Sequence, residues 1–234
     1  MTGRREGGVT SPSAITIEVA PGRTVSGLLQ VPADPAAGYV LAHGAGAGMT
    51  HPFMAAVANG LAERRIATLR YQFPYMEAGS KRPDRPPLAH ATVRAAVAAA
   101  ASRLPSLPLF AGGKSFGARM TSQAQAAAPL PGVRGLIFLG FPLHPAKQPA
   151  VDRAAHLAAV RIPMLFLQGT RDSLADTGLL VPLAQRLGAT LHLIEQADHS
   201  FHVPVRSGRS DASVLADLCD TISAWIAASP GSTG

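Results

Sequence analysis

The pentapeptide Gly113-Lys114-Ser115-Phe116-Gly117, taken with the segments on either side of it, constrains this chain more than any other feature. Leu107-Pro108-Leu109-Phe110-Ala111 before it reads as a short apolar strand, and Ala118 to Ala126 after it as an alanine-rich helix. A turn from strand to helix in so few residues forces the serine into a strained backbone conformation. Small residues two before and two after it let neighbouring backbones approach, and Oγ is presented at the carboxyl end of a sheet. A serine hydroxyl is a weak nucleophile at neutral pH. The turn therefore predicts a histidine base and a carboxylate that orients it.

Two further strand ends supply these partners. Pro163 to Gln168 is an apolar strand followed directly by Gly169-Thr170-Arg171-Asp172. Thr190 to Ile194 alternates as a strand does and is followed by Gln196-Ala197-Asp198-His199-Ser200-Phe201. The candidate catalytic residues are thus Ser115, Asp172 and His199, each just past the carboxyl end of a strand, where open α/β sheets bind ligands. Asp176 and Asp198 are alternatives to Asp172, although adjacent residues of an extended loop point apart, which counts against Asp198 beside His199. A fourth strand, Gly38 to Ala42, leads into His43-Gly44-Ala45-Gly46-Ala47-Gly48. A loop so poor in side chains lets backbone N–H groups face a ligand. Acyl transfer needs two such donors where the carbonyl oxygen becomes negative. They are expected from Ala45 and from Phe116, with His43 ordering the loop.

The remaining pattern sets the fold class. Ile15 to Val19 and Thr24 to Val31 form an opening antiparallel pair around Pro21-Gly22. Helices then alternate with strands: helix 52–65, strand 66–71, helix 88–103, strand 107–111 with its turn and helix, strand 135–139, strand 164–168, helix 177–187, strand 190–194 and helix 211–228. Such alternation builds an α/β fold with a mostly parallel central sheet and helices on both faces. At 234 residues the chain has enough material for one core. A single domain is expected over residues 14–228, with flexible ends at 1–13 and 229–234.

Two connections are irregular. Residues 72–87 are long, proline-rich and basic, and they leave a strand's carboxyl end. On one reading Phe73 and Tyr75 wall the substrate pocket, while Lys81, Arg82 and Arg85 meet an anionic part of the substrate. On the other, this is a solvated loop. The second connection, from Gly140-Phe141 to Arg161, has room for one short helix, so little or no cap domain is expected, with Phe141 at the pocket.

Composition removes several classes. A content of 47% hydrophobic and 15% charged residues fits a globular enzyme and not a disordered chain. No run of about eighteen apolar residues exists, and no apolar segment follows Arg4-Arg5, so neither a membrane span nor a signal peptide is expected and the location is read as cytoplasmic. The net charge is +7, carried mostly by dispersed arginines with no basic run interleaved with aromatics. No nucleic-acid partner is expected, although positive charge favours anionic substrates. The arginine bias, with abundant Ala, Gly and Pro, fits a GC-rich bacterial genome. Cys219 is the single cysteine and reads as a buried structural thiol. His43, His51, His199 and His202 match no metal-binding spacing, so no metal or cofactor is expected. Lys114 either raises the positive potential beside Ser115 or fills a variable position of the motif.

The strand Leu69-Arg70-Tyr71 with Phe73-Pro74-Tyr75-Met76, the turn Gly112 to Arg119, and Gln168-Gly169-Thr170-Arg171-Asp172 resemble a small, cap-less branch of the α/β-hydrolase superfamily. That branch is similar in size to dienelactone hydrolases and includes predicted bacterial hydrolases and testis-expressed and KAT8-regulatory-subunit relatives. The resemblance covers about residues 38–228, and the chain order Ser115, Asp172, His199 is the superfamily's own. It implies a Ser115–His199–Asp172 triad with Ala45 and Phe116 as oxyanion donors, acting without a cofactor. Dienelactone hydrolases have a cysteine nucleophile. Ser115 departs from that, and hydrolysis of small carboxylic esters or thioesters through an acyl-enzyme is the expected activity, with short acyl chains preferred. Some eukaryotic relatives serve as complex subunits, so the alternative is a non-catalytic interaction protein on the same scaffold. The sequence leaves the oligomeric state open.

Overall fold

Eight strands form a single sheet in the computed structural model, which describes residues 11–229. The opening hairpin consists of β1 (Ser13–Ala20) and β2 (Arg23–Gln30). The other strands are β3 (Ala37–Ala42), β4 (Ile66–Tyr71), β5 (Leu109–Lys114), β6 (Val133–Leu139), β7 (Met164–Gly169) and β8 (Thr190–Ile194). Their order across the sheet is β1-β2-β4-β3-β5-β6-β7-β8. β2 is antiparallel to both β1 and β4, and all pairs beyond β4 are parallel. β3, β4 and β7 are buried at every residue, as expected of parallel strands covered on both faces.

The helices are α1 (Pro52–Ala62), α2 (Pro74–Glu77), α3 (Pro86–Arg103), α4 (Phe116–Ala127), α5 (Thr177–Arg186) and α6 (Asp211–Ala228), with 3₁₀ segments at Asp152–Ala159 and Val205–Ser207. Strand alternation sends successive side chains to opposite faces. Val40, Leu69 and Leu136 accordingly pack with Val93 and Ala96 of α3, Met120 of α4 and Leu180 of α5. Tyr39, Leu41 and Ile137 pack on the other side with Met54, Val57 and Leu61 of α1 and Leu218 and Ile222 of α6. Cys219 lies in this second layer, fully buried, and burial pushes its thiol up to about 11.

The elements differ from the sequence pattern mainly at their ends. α1 stops at Ala62 and not at Arg65, because Arg65 takes a left-handed φ of 63° that no helix continues. α3 begins at Pro86, since prolines fit the first helical turn. β5 runs from Leu109 to Lys114 instead of 107–111, Pro108 having no N–H to give the ladder. β1 takes in Ser13, whose Oγ donates to the Leu29 carbonyl at 3.1 Å. At the other end Ser229 is buried, its Oγ donating to the Trp225 carbonyl. Residues 1–10 and 230–234 of the two expected flexible ends lie outside the described residues. Between Gly140 and Arg161 stands only the Asp152–Ala159 segment, and there is no cap. Among the described residues no helix is long and apolar enough to cross a membrane, and no cluster of His, Cys, Asp or Glu could hold a metal ion.

Candidate active site

β5 runs into α4 through Ser115, whose φ of 51° and ψ of −110° are strained for a residue with a side chain. Two glycines allow the turn to lie this close to β3. A Cβ on Gly113 would stand 2.2 Å from the Ala42 carbonyl oxygen, and one on Gly117 2.6 Å from the same atom. The Ser115 N–H is held by the Leu139 carbonyl at 3.1 Å. Oγ is left free to face the loop after β8.

That loop carries His199. Its Nε2 lies 2.9 Å from Ser115 Oγ, and its Nδ1 lies 2.7 Å from Asp172 Oδ2. The carboxylate accepts at Nδ1, so the proton sits there and Nε2 offers its lone pair to the serine hydroxyl. The Asp172 side chain is wholly buried. Oδ2 also accepts from Gln168 Nε2 at 2.5 Å, and Oδ1 from the Leu174 N–H at 2.8 Å. The two rival carboxylates are engaged elsewhere. Asp176 caps α5 by accepting from the Gly178 N–H, and Asp198 accepts from the N–H groups of Ser200 and His202 within its own loop.

The loop after β3 is fixed by His43. Its Nδ1–H donates to the Gly44 carbonyl at 2.7 Å, and its Nε2 accepts from the Phe73 N–H at 3.1 Å. Both bonds require a neutral ring, and burial lowers its pKa to about 4. The Gly46 N–H donates to the Tyr75 hydroxyl at 3.1 Å. Ala45 stands between these anchors and lines a cavity of about 390 Å³ above Ser115. Its other walls include Gly44, Ala47, His51, Phe53, Met54, Lys114, Leu174, His199 and Ser200. Phe116 is the first residue of α4, where backbone N–H groups have no partner within the helix.

The expected pocket residues are not in this cavity. Phe73 is fully buried one layer beneath it, its ring edge-on to His43 at 5.0 Å and to Phe116 at 5.2 Å. Phe141 is fully buried against Phe138 and Phe166. Tyr75 is buried and supports the site from beneath, its hydroxyl accepting from the Gly46 N–H and its ring packing against His43 and Phe116. Lys81, Arg82 and Arg85 are exposed, and Arg82 and Arg85 border a separate depression with Arg23 and Asp84. The reason is α2, which was not apparent in the sequence. It turns the chain after Phe73, Asp84 accepts from the Tyr75 N–H at 3.1 Å, and Glu77 accepts from the Ser26 N–H of β2. The basic segment is thereby held toward the hairpin side of the sheet.

Sequence reasoning missed the actual walls. Phe53 and Met54 open α1, and Leu174 follows Asp172 by two residues. Each reads as an ordinary core position, with only its closeness to a strand-end loop as a signal. Lys114 does more than either sequence reading supposes. Its stem packs on Gly44 and its Nζ donates to the His199 carbonyl at 2.5 Å.

Residues 35–227 match the alpha/beta hydrolase domain family. Among solved structures, a lid-less α/β serine hydrolase from Xanthomonas campestris is 21% identical, with a TM-score of 0.72 over 94% of this chain and 98% of that one. An esterase domain from a Rhodothermus marinus protein is 17% identical with a TM-score of 0.70, covering 93% and 98%. A dienelactone hydrolase from Anabaena variabilis is 18% identical with a TM-score of 0.72, covering 93% and 97%. At these identities the likeness is one of fold.

Proposed function

The chain belongs to the alpha/beta hydrolase domain family, and from that premise we propose that it is a serine hydrolase of small carboxylic esters or thioesters. One observation carries this reading: the unbroken hydrogen-bond relay from Ser115 Oγ through His199 to a buried Asp172, built on a serine in a strained turn.

In the proposed mechanism Ser115 Oγ attacks the substrate carbonyl while His199 Nε2 takes its proton. The carbonyl oxygen becomes negative and is held by the N–H groups of Ala45 and Phe116. Asp172 keeps the imidazole in the tautomer that can accept, and stabilises the imidazolium that forms. His199 then returns the proton to the departing alcohol or thiol, which leaves an acyl-Ser115 ester. Water, deprotonated by His199, attacks that ester. As the intermediate collapses, His199 returns this proton to Ser115 Oγ, which regenerates the hydroxyl and releases the acid. The open cavity above Ser115, with no cap over it, suits a small acyl group.

A fluorophosphonate probe and a short p-nitrophenyl ester test the reading together. Native protein should label and hydrolyse. Ser115→Ala should lose both, with its thermal midpoint close to the native one. A native protein that neither labels nor turns over, beside an active control esterase, would leave the chain an interaction protein on a hydrolase scaffold.

A further inference from the structure

We propose that Lys114 is a positioning residue, whose ammonium ties the loop carrying His199 to the strand carrying Ser115 and so holds the imidazole over the hydroxyl. The inference rests on the serine-hydrolase reading for its consequence in catalysis, while the tie itself rests on geometry.

Lys114 is the last residue of β5 and the neighbour of Ser115 in the chain. Its Nζ donates to the backbone carbonyl of His199, 85 positions away. Its stem passes over Gly44, where an added Cβ would meet Cγ at 3.5 Å. Its head shares the space over Gly140 with the imidazole. A Cβ on Gly140 would lie 2.8 Å from Nζ and 3.6 Å from both Nδ1 and Cε1 of His199. The ring of Phe201, two residues past His199, stands 5.3 Å from Nζ. One side chain, rooted in the strand end before the serine, thus reaches the loop after β3, Gly140 after β6, and both His199 and Phe201 of the histidine's loop.

The position is expensive for a charge. Asp172 and Asp198 act on the ammonium only through space, and it makes no ion pair among the described residues. An uncharged side chain of similar length would fill the site at less desolvation cost. What a methionine there cannot do is donate to the His199 carbonyl. Charge matters to that bond, because a charged donor makes a shorter and stronger hydrogen bond than a neutral one. Burial pushes the ammonium down to about 8, against the pull of Asp172 and Asp198. The other titratable groups facing it are His199 from the same loop and His51 across the cavity.

The test uses the full chain with Lys114→Met and Lys114→Arg. On a short ester, Lys114→Met should lower kcat by about tenfold to a hundredfold with KM within about twofold, as expected when a base is displaced by a fraction of an ångström. Lys114→Arg should recover part of kcat. Native activity should fall as pH rises through about 8. That limb should vanish in the methionine variant and move to higher pH in the arginine variant. A readout free of turnover is the carbonyl carbon of His199 by NMR. It should inflect near pH 8 in native protein and lose that inflection in Lys114→Met. Native kcat in the methionine variant, or a flat carbonyl titration in native protein, overturns the proposal. An inflection in a protein that hydrolyses nothing and takes no fluorophosphonate would keep the tie and discard the hydrolase reading.

Discussion

Asp172 is oriented by three donors of different adaptability, and that difference makes its role testable. Gln168 can rotate its amide to present oxygen or nitrogen, but the Leu174 N–H cannot change and must meet an acceptor at Oδ1. An asparagine at 172 would therefore place its oxygen toward Leu174 and its NH2 toward His199 Nδ1. The imidazole would have to accept there and carry its proton on Nε2, facing Ser115. On the proposed mechanism Asp172→Asn should cost about 10⁴ in kcat with little change in KM or folding, measured by steady-state turnover and a thermal melt. A loss under tenfold would mean that His199 does not depend on this carboxylate. Ser115, Asp172 and His199 can be proposed from the sequence because each lies within a few residues of a strand's carboxyl end. Gln168 cannot, since it closes an apolar strand and looks like part of it. The sequence favours Asp172 over Asp176 and Asp198, but does not show the turn hydrogen bonds that engage the other two, which only the folded loops display.

At the level of elements, α1 and the loop after β8 together bound the cavity. Phe53 of α1 stacks on Phe201 of the loop, with ring centroids 5.7 Å apart and planes 10° from parallel. Phe53 and Ser200 line both the cavity above Ser115 and a second apolar groove of about 390 Å³, bordered by Leu215 and Leu218 of α6. The stack is a partition between the two. On the proposed mechanism an acyl chain on Ser115 shares its cavity with this stack, so native protein should favour short chains. Phe53→Ala should join the spaces and let longer chains bury methylenes at up to ~0.8 kcal/mol each, near fourfold in kcat/KM per carbon. A series of p-nitrophenyl esters from acetate to decanoate measures this. An unchanged optimum in the variant would place the groove out of the substrate's reach. The sequence shows the strand ends that build this arrangement, because period and turn residues are local signals. It does not show the walls. Whether Phe53 or Phe73 faces the cavity depends on how far a loop is turned, and the short helix Pro74–Glu77 carries too few residues to display a helical period.

For the whole molecule, stability against acid depends on two neutral histidines, one buried and one half-buried, as well as on its carboxylates. His43 bridges the Gly44 carbonyl and the Phe73 N–H, and burial lowers it to about 4. His156 pairs with Ser122 Oγ between α4 and the 3₁₀ segment, and burial with the nearby Arg119 lowers it to about 4 as well. In the unfolded chain both titrate near 6.5. Below that pH the unfolded chain binds protons that the native state refuses, so stability is full above about 6.5 and is lost as pH falls toward 4. The depressed carboxylates of Asp211 and Asp217 act in the same direction, but only below about 3.8. The two windows can therefore be separated. Urea unfolding at pH 7.0, 5.5 and 4.5 should show native protein losing on the order of 2 kcal/mol for His43 and less for the half-buried His156 across that range. The His43→Gln, His156→Gln double variant should start less stable at pH 7.0, having lost shaped contacts, yet show a much shallower slope down to pH 4.5. A slope equal to the native one would mean that these rings take up protons in the folded state, which the His43 bonds to Gly44 and Phe73 do not permit while the loop bearing Ala45 keeps its shape.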